Sequence, residues 1–219
     1  MSSASRVVAV IPAFNEAKTI AAVVAGVRAH VTDVIVVDDH STDGTGEEAE
    51  RAGAIVLRNA TNRGYDGSLN AGFVEAAQRG AGIILTFDAD GEHDPADVPR
   101  LIAPIAGDHA DIVAGQRPRL AGVAEKIFAL STRLRYGIAD PLCGLKAYRR
   151  SVYDAVGQFD TVQSIGTELM IRGLRRNFRL ALVPIALHHR VGDSSRFYRR
   201  RLRANLKILR AAWRVLFVG

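Results

Sequence analysis

The sequence predicts an α/β domain with a mainly parallel sheet and helices on both of its faces. Three observations lead there. Apolar runs of four to six residues alternate with amphipathic stretches, the pattern of repeated βαβ units. The apolar runs are continuous rather than alternating, as in strands covered on both faces. Three of the runs end in polar or acidic residues: Asn15-Glu16, Asp38-Asp39 and Asp88 to Asp90. Ligands of parallel sheets sit beyond the carboxyl ends of the strands, so this coincidence is the first functional clue.

Taken in order, Arg6 to Ile11 reads as a buried strand, and Ala17 to Ala29 as a helix. Val34 to Val37 is a second strand ending at Asp38-Asp39. Ser41 to Gly44 is a turn and helix-start cluster, Thr45 to Ala52 a short helix and Ala54 to Leu57 a third strand. Asn62 to Gly67 reads as a glycine-bearing loop, with helix from Ser68 to Arg79. Ile83 to Phe87 is a fourth strand, Pro95 opens the next helix, and Ile112 to Ala114 is a fifth strand. In the less regular second half, Gly122 to Tyr136 and Gly166 to Arg176 read as helices, and Leu145 to Tyr148 and Leu180 to Leu187 as strands. No internal repeat or low-complexity linker interrupts the pattern.

The chain has 219 residues, 48% of them apolar, enough for one domain with a real core. A single cysteine, Cys143, excludes an internal disulfide and reads as a small buried residue. The N-terminus lacks the layout of a signal peptide, and no apolar run approaches the length of a membrane span. A cytoplasmic setting is expected. The formal charge of +6 is uneven. Arg196 to Gly219 holds eight Lys/Arg and no acid, leaving 21 basic against 23 acidic residues elsewhere. A near-neutral body, 1–196, thus carries a cationic appendage, 197–219, suited to an anionic partner.

Chemistry concentrates in Asp88-Ala89-Asp90-Gly91-Glu92-His93. Three carboxylates within five positions would repel one another without a cation. Alternate spacing lets them converge on one oxygen-rich point, the donor type that Mg²⁺ or Mn²⁺ takes together with substrate phosphates. Asp88, Asp90 and Glu92 are therefore the candidate metal ligands. Asp94, before Pro95, reads as a helix cap only. His188 and His189 read as ordinary strand-end histidines.

Ile11-Pro12-Ala13-Phe14-Asn15-Glu16, then Val36 to Thr45 with Asp38-Asp39, then Asp88-x-Asp90 resemble family 2 glycosyltransferases of the GT-A fold, in order and in spacing. Gly115-Gln116-Arg117, Asp140-Pro141-Leu142-Cys143-Gly144-Leu145-Lys146-Ala147-Tyr148-Arg149 and Arg190-x-x-x-x-x-Arg196 look like the polyprenyl-phosphate (dolichyl-phosphate) hexose synthase branch, those transferring mannose or glucose. The resemblance covers residues 6 to 196 and implies a Rossmann-like GT-A domain. It implies that Pro12, Phe14 and Glu16 line the nucleotide pocket, where the family usually has Tyr in place of Phe14. It implies that Val37 and Asp39 meet base and ribose, and that Asp88, Ala89 and Asp90 bracket the diphosphate and metal. Arg117, Arg190 and Arg196 would hold donor or acceptor phosphate, a task suited to the planar guanidinium fork. Lys is usual at the Arg196 position. Near Asp66 the family has small or basic residues, so the Asn62 to Ser68 loop is not assigned to phosphate.

The implied reaction is inverting transfer of a hexose from a nucleotide diphosphate sugar (GDP-mannose or a UDP-hexose) to a polyprenyl phosphate. Asp90 and Arg117 would serve it by stabilising the departing diphosphate. A lipid phosphate is already anionic near neutrality and needs cations rather than a base. Lys126 matches a basic acceptor-phosphate position. For a hydroxyl acceptor a carboxylate base is required, and Asp140 and Glu168 are the candidates.

In the tail, Leu202, Leu206, Leu209, Trp213 and Leu216 share a helix face, with Arg203, Lys207, Arg210 and Arg214 one position on. This basic amphipathic helix suits the interface of a membrane, peripherally and at its cytoplasmic face. The alternative is packing on its own domain or on a second subunit, and a homo-oligomer stays open. Two further readings compete with the lipid acceptor: transfer to a soluble or protein hydroxyl, and a noncatalytic nucleotide- or RNA-binding module. The tail has few aromatics for base stacking, so no nucleic acid is expected.

Overall fold

A computed structural model describes residues 6–120, 122–187 and 201–218, without the side chains of 201–204, 207, 217 and 218. Its strands are β1 (Val7–Ala13), β2 (Asp33–Asp38), β3 (Ile55–Arg58), β4 (Ile83–Thr86), β5 (Ile112–Gln116), β6 (Lys146–Arg149) and β7 (Leu180–Pro184). Its helices are α1 (Ile20–Arg28), α2 (Thr45–Arg51), α3 (Gly64–Gln78), α4 (Val98–Ala106), α5 (Val123–Tyr136), α6 (Arg150–Val156), α7 (Thr167–Leu174) and α8 (Arg201–Trp213). A 3₁₀ turn, Pro95–Asp97, precedes α4, and a π-helical turn, Arg214–Val218, follows α8. Asp94 caps the 3₁₀ turn as expected, accepting a hydrogen bond from Ala96 N. Among the described residues no helix is long and apolar enough to cross a membrane.

One seven-stranded sheet runs β3-β2-β1-β4-β6-β5-β7. All neighbours pair in parallel except β6, which lies antiparallel to β4 and β5. Side chains alternate across β1, and both faces are apolar. Ala9 and Ile11 join Val24, Val27, Leu101 and Ile105 beneath α1 and α4. Val8 and Val10 join Leu69, Phe73, Tyr148 and Met170 beneath α3 and α7. This is why the strand sequences read as unbroken apolar runs. Gly72 lets α3 approach: a Cβ there would lie 2.2 Å from Val10 Cγ1. β1 sits between β2 and β4, so the three polar strand ends emerge side by side.

Three features differ from the sequence expectation. α3 begins at Gly64, inside the expected loop, because Asp39 accepts from Arg63 N and Gly64 N at 2.8 Å each. A distant carboxylate thus satisfies donors that a local cap would otherwise serve. α6 was not expected, since its seven residues carry too little periodicity. α8 packs on its own domain, and not by the anticipated face. Ile208, Ala211, Ala212, Val215 and Leu216 are buried, while Leu206, Leu209 and Trp213 are exposed.

The β5, β6 and β7 edge is tied by Asp111, which accepts from Arg149 Nε, Arg179 Nε and Arg179 N at 2.9–3.0 Å. The bond from Arg179 is the main cause holding this carboxyl down to about 2. A depressed folded-state value stabilises above the ordinary 3.8, and that contribution is lost as pH falls through about 2. Asp111→Asn should therefore flatten this part of the acid limb of stability, read from thermal melts between pH ~5 and ~2.

Candidate active site

The ends of β1, β2 and β4 open into a cavity of about 540 Å³, within the usual range for a small-molecule site. The β1 end contributes Pro12, Ala13, Phe14 and Glu16. Asn15 adopts φ 54°, and the turn is stitched to the β2 loop. Asn15 N donates to Ser41 Oγ, Glu16 N to Thr45 Oγ1, and Thr42 N to Asn15 Oδ1. The Ser41 to Thr45 cluster is thus scaffolding that fixes the Phe14–Glu16 rim. Asp38 serves the same turn, accepting from Ser41 N. Asp39 lines the cavity and, as the partner of Asn59, Arg63 and Gly64, joins β2 to α3. Val37 points elsewhere, into the apolar layer under α3, and is fully buried.

Beyond β4, Asp88, Ala89, Asp90 and Glu92 all line the cavity. Asp90 also accepts from Glu92 N, which sets the turn between them. Asp88 is held on both oxygens. Tyr65 Oη donates to Oδ1 at 2.7 Å, and His93 Nε2 to Oδ2 at 3.1 Å. Burial raises the Asp88 carboxyl, but the bonds from His93 and Tyr65 prevail and keep it below the ordinary value. Burial works against the His93 imidazolium, yet Asp88 prevails there too and raises it. His93 Nδ1 is buried without a hydrogen-bond partner among the described residues.

Gly144 abuts this carboxylate: a Cβ there would fall 2.2 Å from Asp88 Oδ2. Gly144→Ala should therefore displace Asp88 from Tyr65 and His93. We expect about a 10²-fold fall in turnover with the fold intact, because small misplacements in a site cost that much. Steady-state kinetics beside a circular-dichroism melt would check it, and wild-type turnover would show that Asp88 position is unimportant.

Arg117, at the end of β5, reaches the cavity as part of a buried charge group. Its Nε and Nη2 donate to Asp140 at 2.7 and 2.8 Å, and Nη2 lies 3.6 Å from Glu125. Burial opposes the guanidinium, but Asp140 prevails and raises it further. Asp140 is 1% exposed and grips Arg117, including its backbone N, rather than facing the cavity. Lys126 is exposed on α5 and does not line the cavity. Glu168 lies away from it too, accepting from Thr161 N, Thr161 Oγ1 and Gln158 and pairing with Arg172 at 3.0 Å. Arg190 and Arg196 lie outside the described residues, as do His188 and His189.

Sequence reasoning missed several lining groups. Tyr65 and Asp66, in the first turn of α3 where an unassigned loop was expected, both line the cavity, and Asp66 Oδ1 accepts from Ile165 N across it. Glu125 reads locally as an ordinary first-turn acid. Gln163 and Ile165 carry φ of 64° and 57°, held by Asp160, which accepts from Val162, Ser164 and Gly166 N. Lys146, wholly buried, donates to Ile165 O at 2.7 Å and to Cys143 O. It pins this loop to the strand end, and burial lowers its ammonium below the ordinary value. Burial pushes the Cys143 thiol up to about 12, so it is the inert core residue expected.

A divalent cation can be tested against these groups. Among the described residues seven carboxylates line the cavity, Glu16, Asp39, Asp66, Asp88, Asp90, Glu92 and Glu125, against Arg117 and His93. Among the described residues no cluster of three His, Cys, Asp or Glu closes a metal cage alone. One or two carboxylates with open positions fit Mg²⁺ or Mn²⁺, which complete their shell with phosphate oxygens and water.

The family model for glycosyl transferase family 2 matches residues 8–157. The undecaprenyl-phosphate mannosyltransferase of Micrococcus luteus is 32% identical over 213 residues, 86% of either chain. The polyprenol monophosphomannose synthase of Mycolicibacterium smegmatis is 29% identical, covering 84% of this chain and 78% of its own. Glucosyl-3-phosphoglycerate synthase from Mycobacterium tuberculosis, solved with Mn²⁺, UDP-glucose and phosphoglyceric acid, superposes with TM-score 0.78. It covers 96% of this chain and 79% of its own at 21% identity, a likeness of fold. With a matching model over residues 8–157, most of its length, the chain is a glycosyltransferase and belongs to glycosyl transferase family 2.

Proposed function

We propose that this enzyme moves a hexose, with inversion, from a nucleotide diphosphate sugar to a polyprenyl phosphate at the cytoplasmic face of a membrane. The observation that carries the reading is that one cavity is lined both by acids, Asp88, Asp90 and Glu92 among them, and by the apolar side chains Leu142, Ile165, Leu187, Ile208 and Ala211, surface suited to an isoprenyl chain. The named relatives that use undecaprenyl or polyprenol phosphate support the same reading.

In this reading Phe14 stacks on the base and Asp39 accepts from the ribose. Asp88 and Asp90, with Glu92 beside them, would hold Mg²⁺ or Mn²⁺, which when bound would neutralise charge on the departing diphosphate. Arg117, fixed by Asp140, adds a permanent positive charge beside it. An oxygen of the acceptor phosphate forms the new bond to the anomeric carbon, and the nucleoside diphosphate leaves with the bonding pair. No base is needed for an anionic nucleophile, which fits Asp140 and Glu168 being engaged elsewhere. With Lys126 outside the cavity, Arg190 and Arg196 are the remaining candidates for the acceptor phosphate.

Radiolabelled GDP-mannose and UDP-hexoses offered with polyprenyl phosphate and Mn²⁺ test this reading. Label should enter the chloroform–methanol phase and depend on the added metal. Label confined to an aqueous product would transfer the assignment to a hydroxyl acceptor.

A further inference from the structure

We propose that α5 and α8 together form a docking face for an anionic phospholipid surface. The inference rests on the lipid-acceptor reading above and names the surface that would present that acceptor. On α5 Val123, Ile127, Leu130 and Leu134 are 70, 49, 58 and 81% exposed. Their spacing of four, three and four makes one stripe along the helix. On α8 Leu206, Leu209 and Trp213 are 68, 38 and 61% exposed at spacing three and four, a second stripe.

The two helices pack against each other through Ala124 and Phe128 on one side and Ile208, Ala212 and Leu216 on the other. On each helix this seam lies between the residues turned toward the body and the exposed stripe. The helical repeat therefore brings both stripes out on the same outer side of the pair. The inner side carries Glu125, Ile208 and Ala211, which line the cavity. The pair is thus a wall with the active site behind it and an apolar face in front.

Charge selects the occupant. Every exposed residue of α5 is apolar or basic: the stripe plus Lys126, Arg133 and Arg135. The same holds for the described side chains of α8 and the turn after it, where Arg210 and Arg214 join the stripe. The acid of α5, Glu125, is buried. A second copy would set these cations against their own kind. An anionic headgroup layer matches them, while the apolar stripes enter the acyl boundary. Large exposed apolar patches rimmed by charge mark such interaction sites.

Trp213 is the protein's one tryptophan, so its emission reports this face alone. Full-length protein mixed with phosphatidylglycerol vesicles should sediment with them, and the emission should shift to the blue. Phosphatidylcholine vesicles should bind at least about tenfold more weakly. Ile127→Glu with Leu134→Glu should cut binding to anionic vesicles by about tenfold or more with the melting temperature unchanged. Leu134→Glu alone, at the more exposed position, should act in the same direction. These variants should transfer sugar normally to a short-chain, water-soluble polyprenyl phosphate and poorly to a vesicle-embedded one. Wild-type protein that ignores anionic vesicles yet serves the short-chain acceptor overturns the docking face alone. So does self-association in solution that the double variant dissolves. Docking without transfer to either acceptor would overturn the lipid-acceptor reading and leave the face standing.

Discussion

Asp90→Ala is expected to lower kcat for hexose transfer by about 10²–10³-fold, the loss seen when a charge-stabilising group is removed from a transition state. The reasoning starts from the cavity's charge. Among the described residues seven carboxylates line it against Arg117 and His93, and Arg117 is already committed to Asp140. A diphosphate entering such a site meets repulsion unless a cation comes with it. Asp90 lies two residues after Asp88, lines the same cavity and accepts from Glu92 N, which sets the turn. In the proposed function nucleoside diphosphates should raise the melting temperature of the wild type in the presence of Mn²⁺, and the substitution should abolish that rise, since a ligand stabilises only what it binds. Kinetics and thermal shift must move together. A variant with wild-type turnover, or with its metal-linked thermal shift intact, would sink the assignment of this acid.

Asp140→Ala should be the most destabilising single change near the site, by about 3–5 kcal/mol, as when one partner of a buried ion pair is removed. Arg117 would lose its two-pronged carboxylate partner and keep Glu125 at 3.6 Å. That residual pairing places the loss toward the lower end of the range. Urea denaturation gives the stability change, with the midpoint shifting at constant slope. Turnover should fall as well, because Asp140 also anchors the backbone of Arg117. Arg117→Lys should not rescue the arrangement, since a single ammonium cannot reproduce two parallel hydrogen bonds to one carboxylate. A change below about 1 kcal/mol in Asp140→Ala would mean the pair is solvated and contributes like a surface bridge.

Much of the sheet was legible because its strands are buried on both faces. Each of the seven expected strands exists, and most boundaries agree within one or two residues. The acidic turn after β4 was legible for a different reason. A solvated turn capping the next helix would explain Asp94, but not three carboxylates in five residues directly after a buried apolar run. The α3 boundary was not legible, because its cap, Asp39, comes from 25 residues upstream of Gly64. The partners of Asp88 were equally hidden. Tyr65 lies 23 residues before it, and nothing local in Asn62 to Ser68 announces that contact. The tail was half legible. Its amphipathic rhythm was plain, but which side faces the protein depends on the shape of α5.

By itself the sequence determined the α/β class, the order of its strands along the chain and the chemical nature of the acid cluster. Those depend on periodicity and on neighbours a few residues apart. Only the tertiary structure decided that β6 runs antiparallel between β4 and β5, that Arg117 is fixed by Asp140 and Glu125, and that Glu168 stands outside the cavity. It also decided that α5 carries an exposed apolar stripe beside that of α8. The reason is physical: burial and pairing are set by segments far apart in the chain, and a residue's local pattern does not contain its distant partner.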